Sequence, residues 1–154
     1  MHPNGAAPKQ LTRNESLRLL ATEDTGRIIF TRRAMPAVEL VHFTLDNGDI
    51  VIKTDLSGSL AATRGAVVAF EADRLDATDQ AGWSVTVVGC SREVTDPVEI
   101  GRLQRIGLRS WTAGEPAHFL RISPELLNGQ RLYAHGEVND FGTRHPAESE
   151  PVDA

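Results

Sequence analysis

The chain has 154 residues, of which 40% are hydrophobic and 24% are charged, and its formal net charge at pH 7 is −5. This length and composition fit one ordinary soluble domain. They exclude an apolar run long enough to span a bilayer and a generally basic surface for nucleic acid. They also exclude an internal disulfide, because Cys90 is the single cysteine. We therefore expect a cytoplasmic protein whose partners are neither a membrane nor a nucleic acid.

The first half of the chain is predicted to hold one helix followed by strands. Residues 1–13 are polar with Gly and Pro, and we predict a flexible leader there. Asn14 is a good N-cap for a helix over residues 14–21. Strands are then predicted over residues 27–31, 37–45 and 49–54. A solvated hairpin rim is expected for the three nearby arginines, Arg27, Arg32 and Arg33.

The strand predicted over residues 37–45 is apolar on both faces. Val38, Leu40 and His42 share one face, and Val41 and Phe43 lie on the other, which indicates a strand buried on both sides. A barrel of this size has no interior for both faces, so we predict a homodimer that buries more than about 2,000 Å². The Asn-Gly pair that follows at residues 47–48 predicts a two-residue hairpin turn, because both residues tolerate positive φ angles.

The second half alternates strands with two short helices. Gly65 is predicted to follow a short helix over residues 60–64, and Asp96 and Pro97 begin another helix that Gly107 ends. We further predict strands at residues 66–73, 83–94, 119–122 and 130–133, with an exposed loop at 74–82.

These elements define one folded unit. Residues 136–154 are acidic and Pro-containing with little to bury, so we predict a disordered tail after a domain over residues 14–135. Six or seven strands with tight turns and short helices describe a mainly β fold, a small β-barrel with helical plugs. A mixed α+β sandwich is the alternative that periodicity leaves open.

Residues 53–60 carry the most informative chemistry. Thr54, Ser57 and Ser59 supply hydroxyls beside Lys53, just before a predicted helix start, and this combination suits a phosphate. An ordinary strand-to-helix turn with a serine N-cap is the alternative from the residues alone.

Several other side chains have both a functional and a packing interpretation. His42 and His118 are either buried histidines or groups that ligate haem or donate a proton. Trp83 and Trp111 stack either on a ring or within the protein. The sequence contains no His-x-x-x-His or Cys-x-x-Cys spacing, so we expect no metal site.

The carboxylates at the end of the fourth predicted strand, Glu71 and Asp73, form either an acid pair or a solvated strand end. Arg121 is a candidate partner for them.

Read in order, the predicted elements resemble one family. The chain is similar to the actinobacterial branch of the pyridoxamine 5'-phosphate oxidase-like, FMN-binding split barrels. The resemblance is carried by GRIIFT at 26–31, VHFTLD at 41–46, KT at 53–54, SGSLAA at 57–62, VAFEAD at 68–73, GWSV at 82–85, VG at 88–89, SWTAG at 110–114 and HFLRISP at 118–124.

The resemblance implies a six-stranded split barrel that dimerises side by side and holds its cofactor in a groove between subunits. The cofactor phosphate meets the end of the third strand and the turn after it, and the ring lies along the second strand. Residues that match the phosphate end are Lys53, Thr54, Ser57 and Ser59, and those beside the ring are Val38, Glu39 and Leu40, with Trp83 as a further stacking candidate.

The chain departs from the family at the phosphate end. Flavin-binding members usually place basic residues where Ser59 and Leu60 stand, which leaves Lys53, hydroxyls and backbone to hold the phosphate. The implied function is an FMN-dependent oxidoreductase acting on a small molecule that the sequence does not name. The alternatives are a deazaflavin-dependent reductase, a non-catalytic protein for haem, with His42 as ligand, or for another small ligand, and a barrel with no cofactor.

Overall fold

Eight strands and two α-helices form in residues 8–54, 59–111 and 118–133, which are the residues described by the computed structural model. The elements are β1 Lys9–Leu11, α1 Arg13–Leu20, β2 Thr25–Arg32, β3 Met35–Asp46, β4 Asp49–Thr54, a 3₁₀ turn Ser59–Thr63, β5 Val67–Asp76, β6 Ala81–Glu93, α2 Pro97–Gln104, β7 His118–Ile122 and β8 Leu126–Leu132. Each α-helix has 8 residues, and no described helix is long and apolar enough to cross a membrane.

Six of the strands close into a barrel in the order β6-β5-β2-β3-β4-β7, with β7 returning to β6 and all neighbours antiparallel. The long β6 strand makes the split, because its second edge changes partner along its length. Gly82 to Val88 pair with β8, whereas Ser91 to Glu93 pair with β7. The mainly β split barrel expected from the sequence is confirmed.

The barrel interior is filled by alternating residues of each strand. Val68, Phe70 and Ala72 of β5 are buried, and the rings of Phe43 and Phe70 meet edge to face at 4.7 Å. Trp83 is part of this core, at 5% exposure.

Two hairpins turn through pairs of residues with positive φ. Asn47 and Gly48 have φ of 51° and 82°, which confirms the predicted turn between β3 and β4. Arg33 and Ala34, with φ of 52° and 62°, make a similar turn between β2 and β3. Neither of these two residue types signals such a turn.

The N-terminal elements begin earlier than the sequence indicated. Thr12, not Asn14, caps α1: its hydroxyl accepts the Glu15 N–H at 3.1 Å while the Glu15 carboxylate accepts the Thr12 N–H. This capping box prevails because it satisfies two backbone donors. Lys9–Leu11, placed in the predicted leader, form β1 against β8. Residues 1–7 of that leader and the predicted tail from residue 136 onward lie outside the described residues.

Other boundaries also differ from the sequence prediction. The helix predicted at 60–64 is a 3₁₀ turn, although Gly65 follows it with a positive φ of 73°. Most of the loop predicted at 74–82 is strand, because β5 and β6 continue pairing as far as Asp76 and Ala81. Asp76 then accepts the Thr78 and Asp79 N–H groups within the tight turn. The last strand starts at Leu126 rather than at residue 130.

Helix α2 packs on the outside of β4 and β7. Asp96 caps it and Pro97 begins it, as predicted. Leu103 of the helix is buried together with Val51 and Phe119, and Val94, Ile100 and Leu108 belong to the same apolar cluster.

A buried arginine ties α2 to the barrel. Arg121 is 3% exposed and donates to Asp46 at 2.6 Å and to Asp49 at 3.2 Å, and its guanidinium lies 2.8 Å from Glu99. Arg102 also donates two bonds of 2.7 Å to Asp46. The two guanidinium groups hold the pKa of Asp46 well below its usual range. The hydrogen bond from Arg102 has the largest effect on this pKa. Arg121 thus pairs with this cluster and not with Glu71 or Asp73.

Arg121→Met is expected to lower the free energy of unfolding by about 3–5 kcal/mol, because it strips a buried guanidinium from crowded carboxylates. Arg102→Met is the matched control, since that side chain is 45% exposed and its loss should cost about 1 kcal/mol or less. Urea denaturation measures both variants. Equal losses of unfolding free energy in the two variants would show that the burial of Arg121 does not determine how much the cluster stabilises the fold.

Candidate functional site

The outward face of β3 is open where the sequence predicted burial. Val41 and Phe43 point into the barrel, as expected, but the alternating residues Val38 and Leu40 are 60% and 52% exposed. None of the described elements packs over this part of β3, so this face is open within one chain, and its burial by a partner stays a prediction. Val38 and Leu40 form what we call the β3 ledge.

The ledge ends at a pair of stacked rings. His42, the next outward residue of β3, is 9% exposed, and its imidazole lies 4.1 Å from the Trp111 ring with 29° between their planes. Trp111 itself is 60% exposed. His42 is thus buried within the single chain, with the Trp111 indole as its cover.

The predicted phosphate end is only partly within the described residues. Lys53 pairs with Phe119 and is half-buried on the outer face, whereas Thr54 pairs with His118 and is buried on the opposite side of β4. The two side chains therefore do not converge. Ser57 lies outside the described residues, and of Ser59 only its place at the start of the 3₁₀ turn is described.

A second charged cluster lies beside the end of β4. Glu93 Oε2 is 2.9 Å from His118 Nδ1, and Glu93 Oε1 accepts from Arg64 at 3.2 Å. The bond to His118, followed by that to Arg64, lowers the pKa of Glu93. Arg64 follows directly after the 3₁₀ turn and supplies a cation near the positions of Ser59 and Leu60, where the sequence has no basic residue. No local signal marks it, because its position depends on the turn folding back to β6.

The two remaining ring-side candidates have different surroundings. Glu39 is half-buried and pairs with Ile28 on the strand β2. Trp83 lies in the core between β5 and β8, so its indole packs inside the barrel and offers little surface to a ligand. The described residues contain no group of three or more His, Cys, Asp or Glu side chains able to hold a metal ion.

The two carboxylates of β5 form the acid pair that the sequence left as an alternative. Arg27 donates to Glu71 at 3.0 Å and to Asp73 at 3.4 Å. Burial, followed by the hydrogen bond and charge of Asp73, raises the pKa of Glu71 to about 7. Arg27 opposes this shift, and its guanidinium, with the side chain 49% exposed, pairs with both carboxylates from the solvated side.

The raised pKa predicts a pH-dependent stability. Glu71 binds its proton up to about pH 7 in the folded chain but only to about 4.5 when unfolded, so the free energy of unfolding should fall as pH rises between these values. Urea denaturation of wild type and Glu71→Gln at pH 5, 6, 7 and 8 measures this, and the variant should lose most of the slope. Glu125→Gln, at an exposed position, should keep it, and an unchanged slope in Glu71→Gln would refute the assignment.

We compared the chain with known protein families and known proteins. The sequence model of the family described as pyridoxamine 5'-phosphate oxidase matches residues 12–131. An uncharacterized protein of Mycobacterium tuberculosis is 39% identical over 131 residues, covering 81% of this chain and 86% of its own length.

Solved structures agree with that match. The FAD binding protein from Mycobacterium smegmatis is 28% identical, with a TM-score of 0.71 over 84% of this chain and 100% of its own. The FAD and haem binding protein from the same organism is 17% identical, with a TM-score of 0.65 over 94% of each chain. The second likeness shows the fold alone.

Proposed function

Since the chain belongs to the pyridoxamine 5'-phosphate oxidase family, we propose that it is a flavin-binding oxidoreductase that acts as a homodimer with the cofactor at the interface. One observation carries the proposal. A continuous apolar row crosses the outer face of the sheet and ends at the β3 ledge, and the half-buried Lys53 lies on the outer face of β4, the strand that pairs with β3.

The row is built by the strand register. Leu126 of β8 pairs with Val88 of β6, which pairs with Ala69 of β5. Ala69 pairs in turn with Ile29, and Ile29 pairs with Val38. All five residues are exposed or half-buried. We call them the outer apolar row. At about 4.8 Å between strands the row is about 19 Å long, and contiguous apolar surface of this kind marks an interface.

A second copy of the chain is the occupant that this face fits. A two-fold interface places the same patch on both subunits, so it must be self-complementary. The outer apolar row meets this condition, since apolar residues would face apolar residues. The neighbouring row supplies both signs of charge, with Arg27 beside Glu71 and Asp73. Rotation about a two-fold axis can therefore bring opposite charges together.

Val88→Arg is expected to convert the dimer to monomer at micromolar concentration, because it puts an unpaired charge in the row. Val98→Arg is the matched control, since Val98 is 79% exposed on α2 and away from the row. Sedimentation velocity separates the two states. A wild-type monomer, or a Val88→Arg dimer, would contradict the proposed interface.

The ledge and Lys53 suit different parts of a flavin nucleotide. Val38 and Leu40 offer apolar contact to a planar ring, and Lys53 offers a cation to a phosphate. A partner seated on the outer apolar row would flank the ledge, because Val38 belongs to both, and would exclude water from the ring. The bound flavin supplies hydride and electron transfer, so the chain needs to orient it and shield it.

FMN is the form that the family resemblance implies, and FAD is the form named for the Mycobacterium smegmatis protein. Both share the ribityl phosphate that Lys53 would meet. Haem is less well supported, because the His42 imidazole is already covered by Trp111. A deazaflavin has a planar ring of the same shape, with carbon in place of N5, so its titration belongs in the same experiment.

Lys53→Met is expected to raise the Kd for FMN about tenfold. This is the lower end of the range for a charge-assisted hydrogen bond, because Lys53 is only half-buried and solvent weakens the bond. Riboflavin, which lacks the phosphate, should bind both proteins equally. Lys9→Met, at an exposed position on β1, is the matched control. Titration with FMN, FAD, riboflavin, a deazaflavin and haemin, followed by absorption, gives the ranking. Wild type that binds haemin or a deazaflavin but no flavin would overturn the flavin assignment.

A further inference from the structure

In the part of the chain that the structure describes, the covering of the outer barrel face extends as far as one side chain on β3. Leu103 and Leu108 pack over Val51 and Phe119, so α2 and the segment after it shield β4 and β7. Within the described residues, that segment reaches β3 at Trp111, whose indole lies over His42. Beyond the indole, the described chain leaves the β3 ledge open.

We infer that Trp111, held on His42, is the end wall of the flavin site and contacts the flavin ring through the part of the indole that His42 leaves uncovered. This inference rests on the proposed function. It gives the site a positioning residue on a segment far from β3 in sequence. His42 then acts by fixing the indole, and it need not reach the ring itself.

The exposure and anchoring of Trp111 support this role. An indole that is 60% exposed leaves most of its apolar surface in water, whereas the other tryptophan, Trp83, is 5% exposed in the core. The stack on His42 holds the indole in one place before any ligand arrives. A side chain that is already ordered loses less entropy when it binds.

The spacing along β3 also fits. Leu40 and His42 are two residues apart on one face, which is about 6.6–6.8 Å along a strand. A ring over Leu40 would therefore stand next to the indole over His42 within the range of about 4.5–7 Å at which aromatic pairs attract. The ledge thus has room for a ring directly against the wall.

Trp111→Ala should raise the Kd for riboflavin and for FMN by the same factor, about twofold to tenfold, which corresponds to the usual strength of an aromatic pair. Trp111→Phe, which keeps a ring, should stay within about twofold of wild type. This pattern differs from that of Lys53→Met, which affects FMN alone. Tyr133→Ala, an exposed aromatic at the end of β8, is the control and should change neither Kd.

The fluorescence of the bound flavin tests whether Trp111 contacts the flavin, independently of any effect of the substitution on protein stability. An indole in contact with a flavin quenches the flavin emission by electron transfer, and a phenyl ring does not. Flavin bound to Trp111→Phe should therefore be brighter than flavin bound to wild type at equal occupancy. Tyr133→Ala should leave the emission of bound flavin at the wild-type level.

The outcomes separate this inference from the proposed function. If wild type binds flavin and both Trp111 variants match it in Kd and emission, the wall is refuted and the flavin function stands. If Trp111→Ala instead weakens the dimer without flavin and leaves the emission unchanged, Trp111 is a subunit contact and the inference is wrong. If wild type binds no flavin, both proposals fail.

Discussion

Strand geometry imposes the constraint on which the rest of this structure depends. Side chains alternate between the two faces of a strand, and closing six strands into a barrel hides only the inner set. The outer set must be polar or covered. Over β4 and β7 the chain provides its own cover, with Leu103 on the apolar cluster and Arg121 clamped to the β3–β4 hairpin and to α2. Over the remaining strands, none of the described elements covers the outer apolar row, whose residues are exposed or half-buried.

The boundary between the covered and the open part of this face is where the candidate functional residues lie. Trp111 and His42 stand on the boundary, Lys53 lies beside it, and Val38 and Leu40 begin the open side. In our proposal one uncovered surface accounts for both subunit association and cofactor binding. The surface also carries its own ionisable group, since burial against the barrel and the adjacent Asp73 raise the pKa of Glu71 to about 7.

The sequence predicted those features that depend on neighbouring residues. Asn47-Gly48 and Asp96-Pro97 were correctly interpreted because each pair determines its own backbone geometry. The capping box at Thr12 is equally local, but the cap was assigned to Asn14 because Asn is also a favourable N-cap residue. Trp83 alternates with the buried Val85 and Val87, and a strict two-residue period would have placed it in the core. Features that depend on strand register could not be predicted from neighbouring residues. Arg121 and Asp46 are 75 residues apart. The stack of Trp111 on His42 and the outer apolar row also have no local sequence signal.

The central claim is that dimer and flavin share the open face, and sedimentation velocity recorded at a flavin absorption band tests it most directly. With FMN added, wild type should show a dimer boundary that carries the flavin absorbance. The same run with Val88→Arg should show a monomer and leave the flavin unsedimented, although Val88 lies in the row away from Lys53 and the ledge. A monomeric variant that still carries flavin at wild-type stoichiometry would show that one chain suffices, and would contradict the shared site.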